Sequence, residues 1–210
     1  GNLGGGLRMK RFDCLRVINR FISQDDLVVA SLGGVVDEWH NIRPSGGNLF
    51  LEILGGITPV ALGLAIALPH RKVFSLDTDG SFFMNTGVLC TLGNLQPQNL
   101  TVIMLDNGCY ECIGGPPTPS AGVVDIAKMA VGAGITTART VRTLEELEQA
   151  LADASKKKGL SYIVLKLEPG TVRFPLEKRK ISDGFEDKYN FLRHVERLEK
   201  IIIKPPCEQK

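Results

Sequence analysis

Two short acidic turns have the residue types needed to share a metal ion. Residues 77–81 are Asp-Thr-Asp-Gly-Ser, and residues 106–108 are Asp-Asn-Gly. Asp79 and Asn107 offer the hard oxygen ligands that Mg²⁺ prefers. The glycine and serine after Asp79 lead into a predicted helix, whose free N–H groups and dipole favour an anionic phosphate. These types in this order indicate a diphosphate that is held through a bridging metal ion.

The elements that position these turns are predicted from apolar patterning. Five short apolar runs are typical of strands buried on both faces, at residues 27–32, 72–77, 100–105, 135–141 and 162–167. Helices are predicted at residues 12–22, 58–68, 82–95, 125–134 and 143–157. Thr143 and Glu146 form a capping box at the start of the last of these helices.

This alternation predicts an α/β fold, a three-layer doubly wound sandwich with a mainly parallel sheet. In such sheets ligands bind beyond the carboxyl ends of the strands. Both acidic turns follow predicted strands that are expected to be neighbours, so they should face one crevice.

We expect residues 1–10 to be a flexible N-terminus, residues 11–170 to be the ligand-binding domain, and residues 171–210 to be a C-terminal arm and docking helix. The docking helix is predicted from apolar residues at helical spacing: Phe185, Tyr189, Leu192, Val195 and Leu198.

Composition narrows the class of protein. With 210 residues, of which 43% are hydrophobic, the chain can bury a real core as one large domain. The formal net charge is +2 and there is no basic block, which argues against nucleic acid as a partner. No apolar run reaches the roughly 18 to 20 residues of a membrane span, and no signal-peptide core precedes the domain. We therefore expect a cytoplasmic protein without a membrane partner.

Several reactive side chains have weaker claims to a function. The five cysteines are odd in number and scattered, so reduced thiols are expected. Cys109 and Cys112 have redox or zinc spacing, but no second cysteine pair or nearby histidine completes a site. His40, in a predicted loop after the first strand, and Glu111, after the second acidic turn, are candidates for substrate contact or for purely structural roles.

The two turns together resemble the cofactor motif of thiamine-diphosphate-dependent enzymes. That motif is Gly-Asp-Gly-Ser followed after about 25 to 30 residues by an Asn-containing turn, and here Asn107 follows Asp79 by 28 positions. Thr78 stands where the family usually has its first glycine. The segments "VVASLGG", "LDNGCYECIGGPPTP" and "EPG…FPLEKRK" are similar to the sulfopyruvate and phosphonopyruvate decarboxylase group. The resemblance implies the thiamine-diphosphate-binding fold.

The resemblance assigns the charged end of the cofactor to the two turns. It implies that Mg²⁺ is held by the side chains of Asp79 and Asn107 and by the Cys109 carbonyl. It also implies that the backbone amides of Gly80 and Ser81 contact the diphosphate.

The resemblance assigns the rings of the cofactor to two other segments. Leu54 would be the apolar wedge that bends the cofactor, and the Glu52 carbonyl would accept from the 4′-amino group, so both have catalytic roles. The remaining residues expected to line the cofactor site are Ser31, Leu32, Gly33 and Tyr110.

The resemblance also implies a split decarboxylase. The family activates its cofactor with a glutamate on a separate pyrimidine-binding domain, and 210 residues leave length for the diphosphate-binding domain alone. The chain is therefore expected to be one subunit of a homo- or hetero-oligomer that needs a pyrimidine-binding α subunit and decarboxylates a 2-oxo acid. Candidates for binding an anionic substituent of that acid are Arg43, Arg71 and Lys72.

Other functions stay open at this point. The same motif would serve a non-catalytic thiamine-diphosphate-binding module, or a subunit of an acetolactate-synthase-like enzyme or a 2-oxo acid oxidoreductase. A flavin or nicotinamide protein is disfavoured because no Gly-x-Gly-x-x-Gly follows the first strand.

Overall fold

A computed structural model describes residues 9–181 and 183–203, which contain one six-stranded sheet. The strands are Leu27–Ser31 (β1), Asn48–Leu51 (β2), Val73–Thr78 (β3), Leu100–Asp106 (β4), Arg139–Val141 (β5) and Ser161–Lys166 (β6). Their order is β2-β1-β3-β4-β6-β5, and every pair is parallel. After β1 the chain adds β2 on one side of it, and after β3 the chain adds β4 on the opposite side. The strand order therefore reverses between β1 and β3, which is where ligands bind in such sheets.

Helices cover both faces of this sheet. They are Arg11–Asn19 (α1), Gly34–Ile42 (α2), Ile57–Ala67 (α3), Asp79–Phe82 (α4), Val88–Leu95 (α5), Ile126–Gly132 (α6), Leu144–Lys156 (α7) and Gly184–Glu199 (α8). One core packs α1, α2 and α7 against the sheet through side chains such as Leu15, Trp39 and Leu151. The other core packs α3, α5, α6 and α8 through side chains such as Leu62, Leu92, Ala130 and Phe191. This is the three-layer α/β architecture expected from the sequence.

Local patterns predicted most of the elements. All five predicted strands form, although the one predicted at 135–141 is confined to Arg139–Val141. Thr143 caps α7, because its hydroxyl accepts the Glu146 N–H at 3.2 Å. The Glu146 carboxylate accepts the N–H of Arg142, one residue before the cap, at 2.6 Å. The capping box is therefore confirmed, with its return bond shifted by one residue.

Three local expectations were wrong. The segment after β1, expected to be a loop, forms α2, in which the apolar side chains Val35, Val36 and Trp39 are buried. The strand β2 was not predicted, because its sequence Asn-Leu-Phe-Leu does not alternate apolar and polar residues and is too short for a continuous apolar run. The single helix expected at 82–95 is two helices, α4 and α5, so the dipole expected beside Asp79 belongs to one turn only.

Both ends of the described chain pack onto the domain. Met9 is buried and bridges Leu167 in parallel, so it belongs to the packed domain; residues 1–8 and Cys207 lie outside the described residues. The helix predicted in the C-terminal segment forms as α8, and its buried face matches the expected one in part: Val195 is buried and Leu198 packs against the core. Phe191 and Val195 enter the core, whereas Phe185 is 78% exposed.

Candidate functional site

The two acidic turns lie side by side at the carboxyl edge of the sheet. β3 and β4 pair with Thr78 opposite Leu105, so both strands end at the same level. The Gly108 N–H donates to Asp79 Oδ2 at 3.1 Å, which joins the two turns directly. Asp79 and Asn107 line one cavity of about 360 Å³. The sequence-based expectation of a shared crevice agrees with this geometry.

Most of the residues predicted for cofactor binding line this cavity: Leu32, Leu54, Asp79, Gly80, Ser81, Asn107, Cys109 and Tyr110. Gly33 and Glu52 instead line an adjoining pocket, which shares Leu32 with the first. Ser31 is fully buried beneath the cavity, and its Oγ lies 3.5 Å from Thr78 Oγ1. The structure therefore gathers the residues predicted for cofactor binding at the carboxyl ends of β1, β2, β3 and β4.

Asp79 is a buried carboxylate that receives hydrogen bonds but contacts no cation among the described residues. Its Oδ2 accepts from Thr118 Oγ1 at 2.6 Å, from the Gly108 N–H and from Ser120 Oγ at 3.3 Å. Burial, together with the charge of Asp106, raises the pKa of Asp79 to about 6, although the Thr118 bond opposes the shift. The site thus holds negative charge that a metal ion would stabilise.

Asp106 shares the same polar cluster but has its own counter-ion. Its Oδ1 accepts from Ser120 Oγ at 2.7 Å, and its Oδ2 forms an ion pair with Lys166 of β6. Ser120 therefore bridges the two carboxylates of Asp79 and Asp106. Lys166 pairs with Asp106, so Asp79 is the carboxylate of these two that has no cationic partner among the described residues.

The Asn107 turn is built around its own side chain. Asn107 Oδ1 accepts the Cys109 N–H at 3.0 Å, and Gly108 adopts φ +74°, a conformation that favours glycine. An amide oxygen has two lone pairs, so this bond leaves one for another ligand. Cys109 also bridges Pro117, which fixes the start of the following loop.

Gly80 lies directly under an aromatic ring. A Cβ at Gly80 would be 2.9 Å from Cδ1 of Tyr110, so only glycine fits with the ring in this position. The next residue, Ser81, is fully buried, and its Oγ accepts the Gly55 N–H at 3.0 Å. Asn85 Nδ2 donates to the Gly55 carbonyl at 3.1 Å, so the turn that carries Leu54 is held from both sides.

A second buried carboxylate, Asp77, holds the start of the helix α3 that follows this turn. Asp77 Oδ2 accepts from the hydroxyl of Thr58, in the first turn of α3, at 2.6 Å. Burial raises the pKa of Asp77, while hydrogen bonds from Ser81 and Thr58 oppose the rise. Leu54, 40% exposed, thus projects from a turn that β3 and α4 hold in place.

Sequence reasoning missed several residues that shape the site. Thr118 and Ser120 bond to Asp79 from a Pro-containing loop, and Lys166 pairs with Asp106 from the end of β6. They are 39, 41 and 60 positions from their partners. No local pattern connects residues at such separations, so only the folded chain reveals these contacts.

The weaker candidates have structural partners instead. His40 lies on α2, where its ring packs edge-on against Phe50 at 6.5 Å and burial lowers its pKa. Arg43 donates to the Ser23 carbonyl, and Arg71 pairs with Glu199 at 2.6 Å. Within the described residues, no group of three or more His, Cys, Asp or Glu side chains could hold a metal ion.

Arg11 joins four segments at the edge of the cavity. Its guanidinium pairs with Glu38 of α2 at 2.8 Å and with Glu111 at 2.9 Å, and it donates to Thr171 Oγ1 at 2.7 Å. Burial opposes the charge of Arg11, but both glutamates outweigh it and raise its pKa. Glu111 also accepts the Gly170 N–H, so this carboxylate holds the loop after Asn107 against the C-terminal arm.

We expect Arg11→Met to destabilise the chain by about 3–5 kcal/mol, because it leaves the buried carboxylate of Glu38 without its partner. Urea unfolding measures this loss. Arg20→Met is the matched control, since the pair of Arg20 with Glu148 is more than half exposed and should contribute less than about 1 kcal/mol. Equal losses in the two variants would contradict the role of the buried network.

The comparisons with known proteins agree with this geometry. Residues 37–165 match the family model described as thiamine pyrophosphate enzyme, C-terminal TPP binding domain. The chain belongs to this family. It is 32% identical over 183 residues to the sulfopyruvate decarboxylase subunit beta of Methanothermobacter thermautotrophicus, covering 85% of this chain and 95% of the relative. It is 30% identical to the phosphonopyruvate decarboxylase of Streptomyces viridochromogenes, covering 79% of this chain and 41% of the relative.

Solved structures share the fold of this chain. The benzoylformate decarboxylase of Polynucleobacter necessarius superposes with a TM-score of 0.67 at 19% identity, covering 83% of this chain and 36% of that one. The matched range of the family model contains both Asp79 and Asn107. Among the helices of the described residues, none is both long enough and apolar enough to cross a membrane.

Proposed function

We propose that this chain is the diphosphate-binding subunit of a split thiamine-diphosphate-dependent 2-oxo acid decarboxylase of the sulfopyruvate or phosphonopyruvate type. It binds the cofactor through Mg²⁺ and acts with a pyrimidine-binding α subunit. The observation that carries the proposal is the buried Asp79 carboxylate, which has no cationic partner among the described residues and lies beside Asn107 at the point where the strand order reverses.

The donor set fits Mg²⁺. Asp79 supplies a charged oxygen, Asn107 an amide oxygen and Cys109 a backbone carbonyl, and Mg²⁺ typically completes its shell with phosphate oxygens and water. The hydrogen bonds from Thr118, Gly108 and Ser120 all fall on Asp79 Oδ2 and none of them on Oδ1. These donors fix the orientation of the carboxylate and leave Oδ1 for a metal ion. A fixed oxygen ligand suits Mg²⁺, which requires near-octahedral coordination.

Two backbone amides next to Asp79 would hold the diphosphate. Gly80 and Ser81 follow it directly and line the same cavity. Because Tyr110 covers Gly80 closely, we expect its ring to move aside or to pack against the bound diphosphate. The function of these residues is to bind and orient an anion next to the metal ion.

The remaining cavity suits the rings of the cofactor. When bound, thiamine diphosphate supplies an electron sink for the decarboxylation of a 2-oxo acid. Leu54 would be the apolar wedge against the cofactor rings, and the Glu52 carbonyl would accept a hydrogen bond from the aminopyrimidine. Support for the role of Leu54 is its rigid turn, held by Ser81 and Asn85 through Gly55.

A partner subunit fits the surface around the cavity. Large apolar side chains are exposed there: Met84 at 56% and Ile113 at 73% line the cavity, and Ile53 at 64% is the residue before Leu54. Exposed apolar clusters of this kind mark sites of protein association. The relative from Methanothermobacter is itself named a β subunit, which implies an α subunit for that enzyme. We infer that the activating glutamate comes from the corresponding partner of this chain.

The partner is also expected to recognise the substrate. Of the described residues that line the cavity, only Arg11 carries a positive charge, and Glu38 and Glu111 neutralise it. An anionic 3-substituent such as sulfonate or phosphonate needs a cation that is not already paired. We therefore place that cation on the α subunit.

Calorimetric titration with thiamine diphosphate tests the cofactor assignment. Binding is expected with Mg²⁺ and not with EDTA, because the diphosphate needs the metal ion as a bridge. Thiamine, which lacks the diphosphate, is the control ligand and should not bind detectably. Binding that is indifferent to Mg²⁺ or to the diphosphate would contradict the proposal.

Leu54→Ala should lower turnover of the assembled enzyme by on the order of 10- to 100-fold, because the wedge positions the reactive ring. Magnesium-dependent binding of the cofactor should change little, since Leu54 lies away from the charged end of the site. Leu54→Ile keeps an apolar side chain of the same size and serves as the control. Steady-state kinetics together with calorimetry separate the two effects; parallel losses of affinity and rate would indicate misfolding instead.

A further inference from the structure

Thr78 is the last residue of β3, and its side chain lies next to Ser31, the last residue of the neighbouring strand β1. Thr78 Oγ1 accepts the Ser81 N–H at 3.3 Å and lies 3.5 Å from Ser31 Oγ. Thr78 is the residue before α4, with extended backbone angles of φ −115° and ψ 155°. Its hydroxyl therefore caps the single turn that begins with Asp79, and Thr78 is one of the residues that line the cavity.

The Ser81 amide is one of the two donors that the proposed function assigns to the diphosphate. In this structure the Thr78 hydroxyl already uses that donor. An N–H group that is shared between two acceptors binds each of them less strongly, so a phosphate oxygen and the threonine hydroxyl compete for it. Residues with no side-chain acceptor at this position would leave the amide free for the ligand.

We propose that Thr78 lowers the affinity of this chain for thiamine diphosphate by capping the Ser81 amide in the free protein. This inference rests on the proposed function and adds a residue that sets cofactor affinity. Ligand binding displaces the hydroxyl, whose only other polar contact among the described residues is Ser31 Oγ at 3.5 Å. Because Thr is β-branched and stiff at χ1, the hydroxyl cannot leave the amide without a change of rotamer.

The expected effect follows from the strength of an N-cap. Losing such a cap typically changes an equilibrium constant by about fivefold. If the diphosphate displaces the cap, removal of the hydroxyl should strengthen binding by about the same factor. It should also lower the thermal stability of the ligand-free chain, because the cap is lost there.

The test compares Thr78→Ala, Thr78→Ser and the unchanged chain by calorimetry with thiamine diphosphate and Mg²⁺, and by thermal unfolding without ligand. Thr78→Ala is expected to bind about fivefold tighter and to unfold at a lower temperature. Thr78→Ser keeps the hydroxyl and should match the unchanged chain within about twofold. If the alanine variant does not fold, Thr78→Gly replaces it, since glycine is well tolerated at an N-cap.

The outcomes separate this inference from the proposed function. If the unchanged chain binds the cofactor with Mg²⁺ and Thr78→Ala binds equally or more weakly, the inference is overturned and the cofactor site stands. Weaker binding would mean that the hydroxyl contacts the ligand directly. If neither the unchanged chain nor any Thr78 variant binds, the cofactor site and the inference are both overturned.

Discussion

Replacing Asp79 by asparagine should abolish magnesium-dependent binding of thiamine diphosphate while making the ligand-free chain more stable at pH 8. The substitution removes the charged ligand of the proposed metal site. Affinity for the cofactor should fall by on the order of 100-fold or more, since even indirect partners of metal ligands contribute 10- to 100-fold. Calorimetry with thiamine diphosphate and Mg²⁺ measures this loss.

The gain in stability follows from the cost of burying the same carboxylate. Burial and Asp106 raise the pKa of Asp79 to about 6, above its value of about 3.9 in an unfolded chain. For an acid with a raised pKa, stabilisation is fully present below about pH 4 and is lost as the pH rises through about 6. At pH 8 the folded chain thus carries a penalty on the order of 1–3 kcal/mol, which the neutral asparagine removes.

Thermal unfolding without metal between pH 4.5 and 8 measures this second effect. The asparagine variant should unfold at a higher temperature than the unchanged chain at pH 8, and the difference should shrink toward pH 4.5. Asp25→Asn is the matched control, because the Asp25 side chain is 69% exposed and should change neither affinity nor stability. Unchanged affinity in the Asp79 variant would contradict the metal assignment, and lower stability at pH 8 would contradict the charge penalty.

Adding the α subunit from the same organism should raise decarboxylation from a negligible level by on the order of 1,000-fold or more. General acid–base groups alone contribute about 100- to 10,000-fold, and we infer that the activating carboxylate lies on the partner. The isolated chain should bind the cofactor weakly, because it contacts the diphosphate and leaves the rings exposed to water. Carbon dioxide release from sulfopyruvate and phosphonopyruvate, with and without the partner, measures the effect.

A surface substitution separates docking from chemistry in this experiment. Ile113→Lys changes an exposed apolar side chain at the cavity mouth and should weaken association with the α subunit without unfolding the chain. Val123→Lys is the matched control, because Val123 is fully exposed. Substantial activity from this chain alone would contradict the split-site proposal, and would direct the search for an activating acid to Glu52 and Glu111.

The acidic turns illustrate what the sequence by itself determined. Apolar runs of strand length, alternating with helical patterns, determined the α/β class, because burial on both faces leaves few positions for polar residues. Asp79 and Asn107 each lie two positions after the end of such a run. Parallel strands end at the same edge, so their convergence followed from the fold class. The Thr143 cap of α7 was likewise predicted, since its bond to Glu146 spans only three positions.

The tertiary structure decided which carboxylates of the site have a counter-ion and which do not. Lys166 gives Asp106 a counter-ion, whereas Thr118 and Ser120 give Asp79 hydrogen bonds only. Arg11 pairs with Glu111, which supports a loop. The loop predicted after β1 was wrong, because packing of Trp39 into the core stabilises the helix α2 in this segment. Hydrogen bonds and ion pairs of this kind depend on distances between segments that are far apart along the chain. Local sequence patterns contain no such distances, and they arise only when the sheet brings the segments together.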